Sequence, residues 1–224
     1  MLTADPASPR AATGTRMEVD QLLADLSAGR AAPSATSLPE TFVQTVSETL
    51  AATSGQVEVE VADPLGRSAH CLLLSRADTL RRSRGFTERE ELAVHPTSAL
   101  PGVLLRLAAI APTEPLPAEV TVTTTPQELA DLFAADSTRS VAAWARVTEA
   151  GGVLPPAAQD GIDQAPPRAV RLVRRRTNGD GAAALLLLRG RYLVAEGTDA
   201  TTLRGTTPTG AARALLRPLL TESG

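Results

Sequence analysis

The chain has 224 residues, a formal net charge of −3 and only 2% aromatic side chains, whereas nucleic-acid binding asks for a basic surface and stacking rings. All 22 basic residues are arginines, which removes Walker-type phosphate binding and Schiff-base chemistry, both of which need lysine. The single cysteine, Cys71, excludes a disulfide framework and zinc-ligand spacing.

The length suits one large domain or two small ones, and such a chain can bury roughly 70% of its unfolded surface without staples. The absence of lysine, with abundant Ala, Pro and Thr, points to a GC-rich, actinobacterial genome. MLTADPASPRAATGTR has no apolar h-region, so no signal peptide is expected. The longest apolar run, Ala182 to Leu188, has seven residues, against the roughly 20 that a spanning helix needs. A cytoplasmic chain with no membrane segment is expected.

Residues 1–15 are polar and Pro/Ala/Thr-rich and read as disordered, and 30–37 as a linker. Between them Met17–Ser27 forms a short helix, with Val19, Leu22, Leu23 and Leu26 on one face. Ser37 is placed to cap the next helix, whose stripe is Phe42, Val43, Val46 and Leu50 and which Gly55 stops. The period then changes to two: Val57, Val59 and Val61 alternate with Glu58 and Glu60, the pattern of a strand with one wet face. Asp63-Pro64-Leu65-Gly66 turns the chain into a second strand, Arg67–Ser75. Thr79–Arg84 and Leu92–His95 are weaker strands around a charged loop, and Pro96 opens a helix over Ala99–Ile110.

A strand at Glu119–Thr124 leads into Thr125-Pro126-Gln127-Glu128, a capping box with proline in the first turn, for a helix over 126–135. Another helix, Ser137–Glu149, places Trp144 with Val141, Ala145 and Thr148 on a stripe expected to face the core. After a Pro/Gly/Asp-rich loop, Ala169–Arg176 is a strand, and Asn178-Gly179 signals a tight hairpin. Ala182–Leu188 returns as a central strand covered on both faces, and Arg189-Gly190 turns it into Arg191–Glu196. A single buried helix over 182–195 is the competing reading, but it puts Gly190 mid-helix at about 1 kcal/mol. Thr201–Gly205 is the last strand, and Pro208 starts the last helix.

Each half therefore reads helix, three or four antiparallel strands, helix. PTSALPGVLLRLAAI from Pro96 aligns without a gap on PTGAARALLRPLLTE from Pro208, 112 residues later. The expected fold class is α+β: a central antiparallel β-sheet with helices packed on it, in two pseudo-two-fold halves of about 37–124 and 125–224. Residues 1–36 are the expected flexible segment, and 37–224 the single domain.

The chemistry of candidate sites is sparse. His70 and Cys71 are adjacent on a strand, so they point to opposite faces and form no nucleophile–base pair. His95 sits at a helix entrance, where a capping or surface role is the default. Asp160 and Asp163 are two carboxylates where calcium needs six to eight oxygens. No G-x-S-x-G, H-E-x-x-H or G-x-G-x-x-G is present. No catalytic residue, metal or cofactor is expected. Arg171, Arg174, Arg175 and Arg176 read either as a solvated, aggregation-resistant strand or as the seat of an acidic partner. RRSRGFTEREE (Arg81–Glu91) sets Phe86 among Arg81, Arg82 and Arg84 and Glu88, Glu90 and Glu91. Arginine and aromatic residues concentrate interface energy, although most phenylalanines fold back onto a core.

HPTSALPGVLLRLAAIAPTEPLPAEVTVTTTPQELADLF resembles the mid-region of the EspG family, the ESX (type VII) secretion-associated proteins of actinobacteria. GRYLVAEG and the Pro-initiated last helix resemble that family's C-terminal end. The resemblance runs over about residues 40–224 and departs at the N-terminus, where family members open with a Leu-rich strand and helix. It implies a cytosolic, non-enzymatic chaperone with a quasi-two-fold sheet, which binds a helical secretion substrate and delivers it. The implied partner is a PE–PPE-like or WXG100-like protein. A strand-connecting loop in the family's first half grips the substrate; only that region is carried over, giving Arg81, Arg82, Arg84, Phe86 and Glu88 as the expected partner-binding residues. A self-associating subunit that dimerises through a sheet edge, and an enzyme or small-ligand binder, are the competing readings.

Overall fold

A computed structural model describes residues 2–5, 8–85, 87–155, 166–175, 180–195 and 202–220. Among them the first half of the chain runs β1 (Thr3–Asp5), β2 (Ser8–Thr15), α1 (Arg16–Ser27), α2 (Glu40–Ala51), β3 (Gly55–Asp63), β4 (Gly66–Leu74), β5 (Asp78–Arg84), β6 (Arg89–Pro96) and α3 (Leu100–Leu107). The second half runs β7 (Thr121–Thr123), α4 (Pro126–Asp131), α5 (Ser137–Ala150), β8 (Arg168–Arg175), β9 (Gly181–Leu188), β10 (Arg191–Ala195), β11 (Thr202–Thr206) and α6 (Pro208–Leu220). The strands form an antiparallel sheet in the order β1-β2-β6-β5-β4-β3-β8-β9-β10-β11-β7. From β2 and from β7 onward the element order is the same: strand, two helices, four-strand meander, helix. This is the α+β class expected, and the repeat includes a leading strand that the sequence reading left out of the first half.

The chain divides into two compact units: Met1–Glu58 with Ser68–Val103, and Val59–Arg67 with Leu104–Gly224. In the first, α1 and α2 lay Val19, Leu22, Phe42 and Val46 on Leu80, Leu92, Val94 and Ala12, all buried. Residues 1–15 are expected to be disordered, but those of them that the structure describes form two strands. Ala11–Thr15 pair with Arg89–Ala93, and Leu2 is fully buried. The stabilisation comes from backbone pairing with an otherwise open edge, which composition does not report. Gly14 lets Leu2 pack close, because a Cβ there would lie 2.6 Å from a Leu2 methyl carbon and push that side chain aside. Thr15 then closes a capping box with Glu18 at the start of α1. Ser37 is not the cap of α2, whose N-cap is Pro39; its hydroxyl instead donates to the Leu2 carbonyl at 2.5 Å.

In the second unit Leu132, Phe133, Trp144 and Val147 cover Val122, Leu186, Leu193 and Leu203. Trp144 is core as expected, but Val141, Ala145 and Thr148 are exposed. The buried stripe of α5 is Ala143, Trp144 and Val147. The Thr125/Glu128 capping box forms, with Pro126 in the first turn, on a helix of six residues where ten were expected. Residues 182–195 are two strands and not one helix. Leu188 pairs with Arg191, and Arg189 (φ 48°) and Gly190 (φ 70°) form the two-residue turn between them. β8 pairs antiparallel with β9; the Asn178-Gly179 turn lies outside the described residues. Strand β9 is central, but Ala182 at its start is exposed.

Candidate partner-binding surfaces

The Arg81–Glu91 segment is mostly strand, not loop. β5 and β6 pair from Asp78↔Pro96 to Arg84↔Glu90, leaving only the tip between Arg84 and Arg89. Alternation along β5 sends Arg81 and Arg82 to opposite faces, and each is held internally. Arg81 meets Glu91 at 2.7 Å and donates to the Ser83 hydroxyl at 2.8 Å. Arg82 bridges Asp20 of α1 at 2.7 Å and Glu90 at 2.5 Å, whose side chain is only 3% exposed. Arg84 and Glu88 are exposed at the tip, and Phe86 lies outside the described residues. Beside the tip an open groove of about 410 Å³ is lined by Thr15, Arg16, Met17, Arg84, Thr87 and Glu88. Met17 is 78% exposed there, an apolar side chain that the sequence reading did not single out.

His70 and Cys71 do face opposite ways, and His70 meets different partners. Its Nδ1 lies 2.9 Å from the Ser83 hydroxyl and its Nε2 3.2 Å from that of Ser68. Burial, helped by the positive charge of Arg81, lowers its pKa to about 4, so it is neutral near pH 7. Both ring nitrogens thus face serine hydroxyls. Burial, with the Glu58 charge, raises the Cys71 thiol and keeps it protonated.

The arginines of β8 serve the fold. Arg171 pairs with Glu60 and stacks 4.9 Å over the Phe133 ring. Arg174 donates to the Leu219 carbonyl at 2.7 Å, closing the C-terminal end of α6, and Arg175 meets Asp180 at 2.5 Å. Arg176, Asp160 and Asp163 lie outside the described residues. Among the described residues no three His, Cys, Asp or Glu side chains come together as a metal-ligand set, and no helix is long and apolar enough to cross a membrane.

The second unit carries an apolar groove of about 250 Å³ that sequence reasoning missed. Pro126, Leu129 and Ala130 form its helical wall, and Ala184 and Ala195 its sheet floor, with Phe133 and Arg171 also lining it. Arg67 donates to the Phe133 carbonyl at 2.8 Å and fixes that wall to the β3–β4 hairpin. At the hairpin's tip the Asp63 carboxylate accepts from the Leu65 and Gly66 amides, and Leu65 is 90% exposed. The one sequence signal for the groove is the run Gly181-Ala182-Ala183-Ala184, small residues at the start of an otherwise leucine-rich strand.

The chain matches the structure of the Mycobacterium tuberculosis type VII secretion system chaperone EspG5 in complex with a PE25–PPE41 dimer, with a TM-score of 0.54 and 12% identity over 95% of this chain and 97% of that one. The chain has the EspG fold. No protein-family model and no curated protein sequence matches it. A fold can be shared at 12% identity when it rests on strand pairing and a buried pattern that many side chains satisfy.

Proposed function

We propose that this protein is a member of the EspG family acting as a cytoplasmic, non-enzymatic chaperone for an ESX type VII secretion system. It binds a helical substrate of the PE–PPE-like or WXG100-like class, keeps it soluble and directs it to the secretion machinery. The carrying observation is the likeness of fold, end to end, to a chaperone solved with such a dimer. The exposed end of the β5–β6 hairpin is the surface we assign to the partner. There Arg84 and Glu88 make contact, with Phe86 of the same sequence segment as a further contact residue, while Arg81 and Arg82 stiffen the hairpin through their ion pairs with Glu91, Glu90 and Asp20. A chaperone must release its cargo, so apolar contact mixed with screened charge suits it better than an obligate, core-like interface.

The test is co-expression with PE–PPE-type and WXG100-type dimers encoded near this gene, followed by size exclusion. One dimer should co-elute with the wild type. Arg84→Ala should lower the association rate and its dependence on salt while leaving the melting temperature unchanged. Arg82 is unsuitable for this test, since its removal strands the buried Glu90 carboxylate at a cost of about 3–5 kcal/mol. If every dimer elutes apart from the protein, the reading fails.

A further inference from the structure

The β5–β6 hairpin commits three of its four arginines to the fold. Arg81 is held by Glu91, Arg82 by Glu90 and Asp20, and Arg89 by the Thr3 and Thr13 hydroxyls at 3.3 Å. Arg84 is the exception: among the described residues it has no ion pair, although Glu88 lines the same groove of about 410 Å³. Arg16 of α1 also lines it and is held loosely, 3.8 Å from Asp20 with both side chains more than half exposed. Three hydroxyls lie on or beside this groove, and two are committed. Thr15 caps the Glu18 amide, and Ser83 is buried between His70 and Arg81. Thr87 is exposed, and its hydroxyl makes a long bond of 3.3 Å to the Arg89 carbonyl.

We propose that Thr87 is a phosphorylation site whose phosphate is captured by Arg84 and Arg16, and that this modification releases the bound partner. The release rests on the function proposed above; the modification and its capture do not. The donor is ATP, used by a Ser/Thr protein kinase of the class that reads an arginine three residues before the acceptor, as Arg84 precedes Thr87. The Thr87 Oγ1 attacks the γ-phosphorus, the bond from that phosphorus to its bridging oxygen breaks, and ADP leaves. The hydroxyl proton passes to the kinase's base. The product carries about −1.5 to −2 charges and three acceptor oxygens. Guanidinium groups take phosphate oxygens bidentately, and two of them line the groove into which Thr87 opens. Glu88 repels the phosphate and so favours its settling on the arginines. The new bridge ties the hairpin tip to α1. It also occupies Arg84, the cation assigned to the partner, and makes the tip acidic.

The test incubates the purified full chain with ATP and an arginine-directed Ser/Thr protein kinase and locates the phosphate by mass spectrometry. It should appear on Thr87 and not on Thr15 or Ser83, and Arg84→Ala should slow its incorporation at least tenfold. A chain left unmodified at Thr87 overturns the site. Capture is read by phosphorus NMR. The second pKa of the phosphate should lie below its ordinary value of about 6, and Arg16→Ala should bring it back toward that value. An ordinary value in the modified wild type overturns the capture. Release is read by calorimetry with the PE–PPE-type or WXG100-type dimer that the unmodified protein retains. The modified protein should bind it at least tenfold more weakly, and equal affinity overturns the release. If the unmodified protein retains no dimer, the proposed function falls and the release with it, while the mass and NMR readings still decide the site and its capture.

Discussion

His70 lies between two serine hydroxyls and near Arg81, and it titrates at about 4 in the folded chain. The unfolded value is about 6.5. Between those values the unfolded chain binds more protons, so stability rises with pH there. The contribution is complete above pH 6.5 and is lost as pH falls through about 4. From pH 7 to pH 4.5 the wild type should lose about 1–2 kcal/mol more than His70→Gln, a figure already reduced for partial solvent access. Urea midpoints of the two proteins at both pH values check this, and parallel losses would mean that the ring is not held neutral by the fold. Two glycines give a second contrast. A Cβ at Gly205 would lie 2.3 Å from the Pro117 carbonyl oxygen, whereas at Gly14 it would meet the movable end of Leu2 at 2.6 Å. Backbone yields less than a side-chain tip, so Gly205→Ala should cost roughly 2–3 kcal/mol and Gly14→Ala clearly less. Equal melting temperatures for the two variants would contradict the close approach of residues 116–117 to β11.

At the scale of elements, the N-terminal strand is where composition misled. Deleting residues 2–15 removes five register pairs to β6, the burial of Leu2 and the Thr15 cap of α1. The last two alone contribute about 3 kcal/mol, so the truncated chain should melt many degrees lower and bare the edge of β6 to aggregation. An unchanged melting temperature would show that the strand is dispensable. Elements whose signal is local were legible in the sequence. The capping box at Thr125, the alternation of Val57 and Val59, the meander through Arg189-Gly190 and the Pro-initiated last helix all follow from neighbours in sequence. β2 has no such signal, since Ser8–Thr15 gains its order from a partner strand more than seventy residues away. The Arg81–Glu91 segment was misread as a loop for a related reason: its charges neutralise one another across the hairpin and toward α1, which no single-strand pattern reveals. The apolar groove was illegible because its parts are distant in sequence: Ala130 of α4 shares it with Ala184 and Ala195 only once β9 and β10 pair.

At the scale of the whole molecule, the repeat suggests a cut between residues 124 and 125 that the contacts forbid. Val59–Arg67, within the first half of the sequence, belongs to the second compact unit. Glu60 holds Arg171, and Arg67 caps the carbonyl of Phe133 at 2.8 Å. β7, also before the cut, pairs with β11 and places the buried Val122 on Leu203. A fragment of residues 125–224 therefore lacks the strand on each side of its four-strand meander, leaving β8 and β11 with open backbone groups and the core without Ala62 and Val122. Open edges of that length favour pairing with other chains over folding alone. Fragments 1–124 and 125–224 should each give collapsed amide spectra or aggregate when purified separately, and produce a dispersed, native-like spectrum only when expressed together. A well-dispersed spectrum from 125–224 alone would show that the second repeat is a self-sufficient domain and that the shared strand β3 is not needed to complete it.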